Sequence, residues 1–233
     1  MKFGIIGAMD VEVQLLLEAM KANGPLLQAN HGGMAFSEGV MGAHQCVVVQ
    51  SGVGMVNAAL CTQVLVDRFG VDQVINTGVA GSLDPRLDIC DILVAESAVN
   101  HLMNACNFGY APGQVPGMDQ VAFPTNPLLA SQALECARKL GLHAVAGVVA
   151  SGDEFVRTAE EKRRIRNVFG AACCEMEGAA IAQACWVNDV PCVIVRAISD
   201  KADGSDAMDY PEFEQKAART CAQLVEELVR SCS

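Results

Sequence analysis

Acidic side chains stand at several points where apolar runs of this sequence end. Glu175 and Glu177 come directly after the small and apolar residues 171–174 and before the apolar stretch GAAIAQACW. Glu12 follows the first apolar run of the chain, and Asp200 ends the run VPCVIVRAISD. Carboxylates are rarely buried without a partner, and in apolar surroundings they can serve as general acids, general bases or hydrogen-bond acceptors. The sequence therefore predicts acid–base chemistry at these positions.

Each of these acidic residues also has a structural interpretation. Glu12 could simply favour the positive end of its helix, and Asp200 could cap a following turn. Arg196 could be a structural partner for Glu175 or Glu177. The functional interpretation is favoured because the acidic residues occur together. Three strand ends carry carboxylates, and only one arginine near them in the sequence is available to neutralise their charge.

Other kinds of chemistry find less support in the sequence. The four histidines, His31, His44, His101 and His143, lie outside the turns that follow the apolar runs, so a Ser–His or Cys–His nucleophile is not indicated. The glycine turns SGVG and NTGVAGS lack the Lys-Ser/Thr ending of a nucleotide-binding phosphate loop, and no third glycine completes a dinucleotide fingerprint.

Composition excludes several classes of partner. The net charge of −11 disfavours nucleic acid, and the basic cluster at 162–166 is interpreted as a solvated helix face. No apolar run reaches the length of a membrane span, and the start MKFGIIGAMDVE is interpreted as a buried strand rather than a signal peptide. The 11 cysteines form no C-x-x-C pair, which predicts a reduced, cytoplasmic protein without structural metal. We also expect no cofactor.

Strand-like apolar runs alternate with helical patterns along the chain. KFGIIG leads into a helix with Asp10 as the predicted N-cap and Gly24–Pro25 as the stop, and the helix after SGVGM ends at Gly70. TAEE predicts a capping box at Thr158 and Glu161. The pattern predicts an α/β fold: one domain over residues 1–233, with three α/β/α layers and a mixed, mostly parallel central sheet. Ligands of such sheets bind beyond the carboxyl ends of the strands.

One long stretch, residues 102–124, shows no regular pattern. Loops of this length in a compact domain are usually functional or disordered. Because it contains Phe108, Tyr110, Val115 and Met118, we expect it to pack as a lid or as a subunit contact.

The motifs of this chain, taken in order, resemble those of one family. GIIGAMDVE, SGVGMVNAA, INTGVAGSL, FGYAPGQVPG, SGDEF, CEMEGAAIA and VRAISDKAD span nearly the whole sequence. Together they are similar to the motifs of 5′-methylthioadenosine/S-adenosylhomocysteine nucleosidases, of the nucleoside phosphorylase/hydrolase superfamily. The resemblance implies a metal-free homodimer that hydrolyses the N-glycosidic bond of 5′-thio-adenosines and releases adenine.

The resemblance also implies a role for individual residues. Glu12 would activate the attacking water, Asp200 would protonate adenine N7, and Ser199 would orient Asp200. Glu177 would hold the ribose hydroxyls, helped by Met176 and Arg196. Phe155 would stack on adenine and the backbone of Val156 would read its edge. The other residues implied to contact substrate are Val79 and Glu175, then Met9, Val53 and Tyr210 around the 5′ group, with Phe108 and Pro116 supplied by the other subunit.

Two alternatives to this activity remain open at the level of sequence. A phosphate-dependent nucleoside phosphorylase would share the fold, although Glu12 beside the sugar would repel a phosphate dianion. A non-catalytic nucleoside-binding module would also share it. This chain departs from the family at Leu102, Asn104 and Cys106, where the family usually carries two acids and a threonine, so the subunit contact and the 5′ pocket are where we expect differences.

Overall fold

The computed structural model describes residues 1–201 and 210–232. Within these residues the chain forms ten β-strands, six α-helices and one short 3-10 helix. In chain order the strands and α-helices are β1 (Lys2–Gly7), α1 (Asp10–Lys21), β2 (Leu27–His31), β3 (Met34–Met41), β4 (His44–Gln50), α2 (Met55–Phe69), β5 (Gln73–Ser82), β6 (Ile92–Asn100), β7 (Phe123–Pro124), α3 (Pro127–Lys139), β8 (Ala144–Ser151), α4 (Ala159–Phe169), β9 (Ala171–Glu175), α5 (Gly178–Val187), β10 (Cys192–Asp200) and α6 (Tyr210–Ser231).

All ten described strands belong to one sheet, and part of this sheet closes on itself. β5, β10, β6, β8 and β9 each pair with the next strand, and β9 pairs back to β5, so that the five form a ring. β1, β4, β3 and β2 extend the sheet outward from β5. The sheet is mixed, as predicted, with a larger antiparallel share than strand–helix alternation alone would give. The antiparallel pairs come from the β2–β3–β4 meander, from β7 and from the two reversals within the ring.

Helices cover both faces of this sheet. α1, α3 and α6 lie on one face, where Leu16 and Leu224 are fully buried among strand residues. α2 and α5 lie on the other face and bury Leu65 and Ile181. α4 packs into a smaller cluster around Ile165. The predicted three-layer α/β/α class is confirmed. Among the helices described, none combines the length and the hydropathy of a membrane-spanning segment.

The helix boundaries agree with the predictions except at the first helix. α1 begins at Asp10, and Met9 is the N-cap, with φ −120° and ψ 157°. The prediction of Asp10 as N-cap is therefore wrong by one residue, because the side chain of Glu12 reaches back to the Met9 N–H at 2.9 Å. The predicted capping box of α4 is confirmed, since Thr158 Oγ1 accepts from the Glu161 N–H and Glu161 Oε2 accepts from the Thr158 N–H, each at 3.2 Å.

The β2–β3 hairpin and α3 were not predicted from the sequence. Gly32 and Gly33, with φ of 57° and 81°, join the two strands in a turn that needs positive φ at both positions. β2 is mostly solvent-facing and carries little of the alternation that marks a strand. α3 starts with Asn126 as N-cap and Pro127 at its first position, so the Asn-Pro pair was the available signal.

Residues 102–124 contain little regular structure beyond the 3-10 helix Cys106–Phe108 and β7. Val115 and Met118 pack against the core on the side of α2 and α5. Phe108, in contrast, is 81% exposed. The segment is therefore anchored to the core at Val115 and Met118, and it presents the ring of Phe108 to solvent.

Candidate active site

Residues at the ends of β1, β5, β9 and β10 surround one cavity of about 190 Å³. This cavity brings together acidic residues that are far apart in the sequence. Twelve of the fifteen residues predicted to form a site line it: Met9, Glu12, Val53, Val79, Phe155, Val156, Glu175, Met176, Glu177, Arg196, Ser199 and Asp200.

Glu12 is buried at the start of α1 and is held by three backbone N–H groups. Its Oε2 accepts from Ala8 at 2.6 Å and from Met9 at 2.9 Å, and its Oε1 accepts from Val79 at 3.0 Å. Burial raises the pKa of this carboxyl, although the charge of Arg196 and the backbone donors act in the opposite direction. A carboxylate fixed in this way, with its pKa moved toward neutrality, is suited to accept a proton from a ligand or water.

Glu177 is the second buried carboxyl that faces the cavity. Its Oε1 accepts from the Gly54 N–H at 2.9 Å, and its Oε2 lies 3.4 Å from Arg196 Nη2. Burial, followed by the charge of Glu175, raises the pKa of Glu177 to about 7, against the lowering effect of Arg196. Each carboxylate oxygen can accept more than one hydrogen bond, so Glu177 retains capacity for the hydroxyl groups of a ligand.

Glu175 lies at the edge of the same cavity, but its oxygens are occupied within the protein. They accept from Ser151 Oγ, from the Glu177 N–H at 3.1 Å and from the Gly178 N–H at 2.9 Å, and one of them pairs with Arg196. The pairing of Glu175 with Arg196 that the sequence suggested is confirmed. Glu175 therefore holds the start of α5 and the arginine in place.

Arg196 is the buried cation at the centre of these acidic groups. Its Nη2 donates to Asn76 Oδ1 at 2.6 Å, and its Nη1 donates to the Val79 carbonyl at 3.3 Å. Burial disfavours its charge, but Glu175, Glu177 and Glu12 outweigh burial and hold the pKa of Arg196 above its ordinary value. The arginine therefore neutralises part of the negative charge beside the cavity.

Asp200, at the end of β10, lies between a hydroxyl and an ammonium group. Ser199 Oγ is 3.3 Å from its Oδ1, and Lys162 Nζ is 2.7 Å from its Oδ2. Gly81 allows this position, because a Cβ on Gly81 would lie 2.9 Å from Oδ2. The charged group nearest to the Asp200 carboxyl is therefore the cation of Lys162.

Lys162 is the residue of the site that sequence analysis missed. The interpretation of 162–166 as a solvated helix face holds for Arg163, Arg164 and Arg166, which are exposed, but it is wrong for Lys162, which is 3% exposed. The available signal was the spacing to Ile165, which is buried three residues later on the same face of α4. Lys162 contacts Asp200 from behind the cavity wall, and the residues that line the cavity itself but were not predicted as site residues are Ala8, Ala80, Gly81, Glu154 and Cys174.

The remaining predicted residues differ in their exposure and position. Phe155 is half-exposed at the cavity, with the Arg157 guanidinium 5.5 Å from its ring centroid. Phe108 and Pro116 are exposed and do not line the cavity formed by the described residues. Tyr210 begins α6, and its side chain lies outside the part of the chain that the structure describes.

Comparison with known proteins places the chain in a well-populated family. The family model described as the phosphorylase superfamily matches residues 2–230. A 5′-methylthioadenosine/S-adenosylhomocysteine nucleosidase of Staphylococcus aureus is 39% identical over 227 residues, which cover 97% of this chain and 98% of that protein.

Two solved structures are similar to this chain over nearly their full length. The nucleosidase of the same name from Neisseria meningitidis, in complex with methylthio-immucillin-A, superposes with a TM-score of 0.94 at 36% identity and covers 99% of each chain. The nucleosidase from Colwellia psychrerythraea, in complex with adenine, has a TM-score of 0.92 at 38% identity and covers 98% of this chain and 94% of that one.

Proposed function

The chain belongs to the phosphorylase superfamily, and from this premise we propose that it hydrolyses the N-glycosidic bond of 5′-methylthioadenosine and S-adenosylhomocysteine. The products are adenine and the 5′-thio-substituted ribose. The similar proteins named above are nucleosidases for these two compounds, and one of them holds adenine, the base that both compounds share.

The observation that carries the proposal is the meeting of Glu12, Glu177 and Asp200 around one cavity. Cleavage of the bond between C1′ and N9 builds positive charge on the sugar and negative charge on the base. Carboxylates near the sugar stabilise the first charge, and a proton donor at N7 relieves the second. The cavity offers both kinds of group, and the half-exposed ring of Phe155 offers a surface on which a purine can stack.

In the proposed reaction Glu177, Glu12 and Asp200 each have one task. Glu177 accepts hydrogen bonds from the ribose hydroxyls, with Met176 beside it, and Glu12 accepts a proton from the water that attacks C1′. Asp200 gives a proton to N7, and Ser199 orients its carboxyl. The backbone of Val156 contacts the adenine edge, Val79 contacts the substrate, and Met9, Val53 and Tyr210 surround the 5′ group.

Phosphorolysis is disfavoured by the charge of the same cavity. A phosphate dianion would need cationic or amide donors beside the sugar. Among the described residues that line the cavity, Arg196 is the one cation, and it is already engaged by Glu175 and Glu177. Water is therefore the nucleophile that we propose.

An adenine-release assay tests this function. Purified protein is incubated with each compound, with and without phosphate and with a chelator, and adenine is measured by chromatography. We expect release from both compounds without phosphate and unaffected by the chelator. A requirement for phosphate would identify a phosphorylase, and saturable binding without turnover would identify a nucleoside-binding module.

We also propose that the protein works as a cytoplasmic homodimer. The exposed ring of Phe108 and the exposed Leu102 on the 102–124 segment are apolar groups that a second copy would cover, and Phe108 and Pro116 would then reach the partner's cavity. All eleven cysteines carry free thiols, which suits a reducing compartment.

A further inference from the structure

Lys162 makes two hydrogen bonds that tie α4 to the end of β10. Its Nζ lies 2.7 Å from Asp200 Oδ2 and 2.6 Å from the carbonyl oxygen of Lys201. An ammonium group is rarely buried unless it is paired. The three arginines that follow Lys162 on the same helix are exposed, whereas Lys162 is buried with its ammonium group against Asp200 and the Lys201 carbonyl.

The position of the Asp200 carboxyl is fixed from three sides. Lys162 holds Oδ2, Ser199 lies beside Oδ1, and the backbone of Gly81 packs against the carboxyl at a distance that leaves no room for a Cβ. Of these three groups only Lys162 carries a charge. It therefore contributes electrostatically as well as by orientation.

We propose that Lys162 is a positioning residue for proton transfer, which orients Asp200 and stabilises the carboxylate that remains after Asp200 has given its proton to the leaving base. This inference rests on the proposed function. As the bond between C1′ and N9 breaks, its electron pair passes to adenine and the proton of Asp200 forms a bond to N7. The water oxygen bonds to C1′ and one of its protons passes to Glu12, and exchange with solvent then removes this proton from Glu12 and returns a proton to Asp200.

The charges around the cavity explain why a cation is useful at this point. Glu12 of α1, Glu154 of the loop after β8, Glu175 of β9 and Glu177 face the cavity together with Asp200. Against these five carboxyl groups the described residues place Arg196 of β10 and Lys162 of α4. Cys174, beside Asp200, stays a neutral thiol because burial raises its pKa to about 12. Without Lys162, the cation left among these residues would be Arg196, which is already engaged by Glu175 and Glu177.

Steady-state kinetics of Lys162→Met, Lys162→Arg and Arg164→Met test the role. Lys162→Met keeps a long side chain without charge, Lys162→Arg keeps the charge, and Arg164→Met removes an equal charge from an exposed position of the same helix. We expect kcat of Lys162→Met to fall at least about tenfold with KM changed less than about threefold, because the contacts to ribose and adenine remain. Lys162→Arg should retain most of the rate, and Arg164→Met all of it.

The comparison of the two Lys162 variants separates this role from simple support of the fold. Recovery of most of kcat by Lys162→Arg, with KM nearly unchanged in both variants, supports a role in the proton-transfer step. Equal loss of rate in the Met and Arg variants, or a rise in KM that accounts for the loss, would overturn the proposal.

A second measurement is independent of turnover. The ¹³C-carboxyl resonance of Asp200 is recorded by NMR at one pH in the wild type, in Lys162→Met and in Lys162→Gln, so that one misfolded variant does not decide the result. Loss of the contact with Lys162 Nζ should move this resonance in both variants, and an unchanged resonance contradicts the inference. Absence of adenine release by the wild type would instead contradict the proposed function, and the NMR comparison would still decide whether Lys162 holds the Asp200 carboxyl.

Discussion

Glu175 and Glu177 are one residue apart and have different environments, because the chain turns between them. Glu175 is the last residue of β9, and its oxygens bind Ser151, the start of α5 and Arg196. Glu177 is the N-cap of α5, with φ of −136°. Its carboxylate lines the cavity and accepts a hydrogen bond from the Gly54 N–H. Residue types and apolar context predicted both glutamates as site residues. Which of the two can accept a ligand depends on the direction of the local turn, and residue types do not specify that.

Asp200→Asn and Glu12→Gln should separate binding from chemistry. Each removes a proton-transfer group, so kcat should fall at least about a hundredfold. Asp200→Asn should still bind 5′-methylthioadenosine by calorimetry. Glu12→Gln should also lose stability, because its NH₂ group would face an N–H donor of Ala8, Met9 or Val79. The exposed Glu160→Gln is the control, and a near-normal rate in either variant would refute the assigned role.

Glu177→Gln should reveal the cost of burying this carboxyl. Burial raises the pKa of Glu177 from 4.5 to about 7, so the folded chain keeps a proton that the unfolded chain has already released. The corresponding stability is complete below about pH 4.5 and is lost as the pH rises through about 7. Relative to Glu177→Gln, the free energy of unfolding of the wild type should therefore fall over this range in urea titrations. A difference that does not vary with pH would contradict this explanation.

At the scale of elements, helix starts with side-chain caps were predictable and the hairpin was not. The capping box of α4 depends on residues three apart, so Thr158 and Glu161 could be recognised directly. Pairing of β2 with β3 depends instead on a neighbouring strand, and the exposed residues of β2 do not reveal it. The cation of the site was missed for a related reason, because Lys162 belongs to a charged run and only the packing of α4 buries it.

Thr158→Ala should weaken the start of α4. The substitution removes the acceptor for the Glu161 N–H and the donor to Glu161 Oε2, and loss of such a cap costs about 1 kcal/mol. Urea unfolding measures the change. Ser131→Ala, at an exposed position inside α3, should leave stability nearly unchanged, and equal effects of the two substitutions would contradict the cap's contribution.

At the scale of the whole molecule, the ring of five strands brings the site together. It places the end of β9 beside β5 and β10, so that Glu175, Arg196 and Asp200 reach one cavity. The sequence predicted that polar residues at strand ends would meet. It could not predict the ring, because β9 closes it through only two residue pairs, Gly81 with Cys174 and Ser82 with Cys173.

Phe108→Ser should shift the proposed dimer toward monomers. Phe108 is the most exposed of the large apolar side chains described. Burial of its ring in the subunit contact would stabilise the dimer, and serine has no apolar surface of that size to bury. Sedimentation velocity measures the change. Leu128→Ser, at a 67% exposed position on α3, is the matched control. A wild type that sediments as a monomer, or a Phe108→Ser variant that sediments as the wild type does, would contradict this subunit contact.

The distribution of thiols gives the protein a natural attachment point for a probe. Of its eleven cysteines, nine are buried, Cys90 is partly covered, and Cys106 alone is exposed. Cys106 opens the 3-10 helix that ends at Phe108. A maleimide dye should consequently label the native chain once and quickly, next to the surface where a second copy would bind. Slower labelling at higher protein concentration would then read out association without any engineered tag.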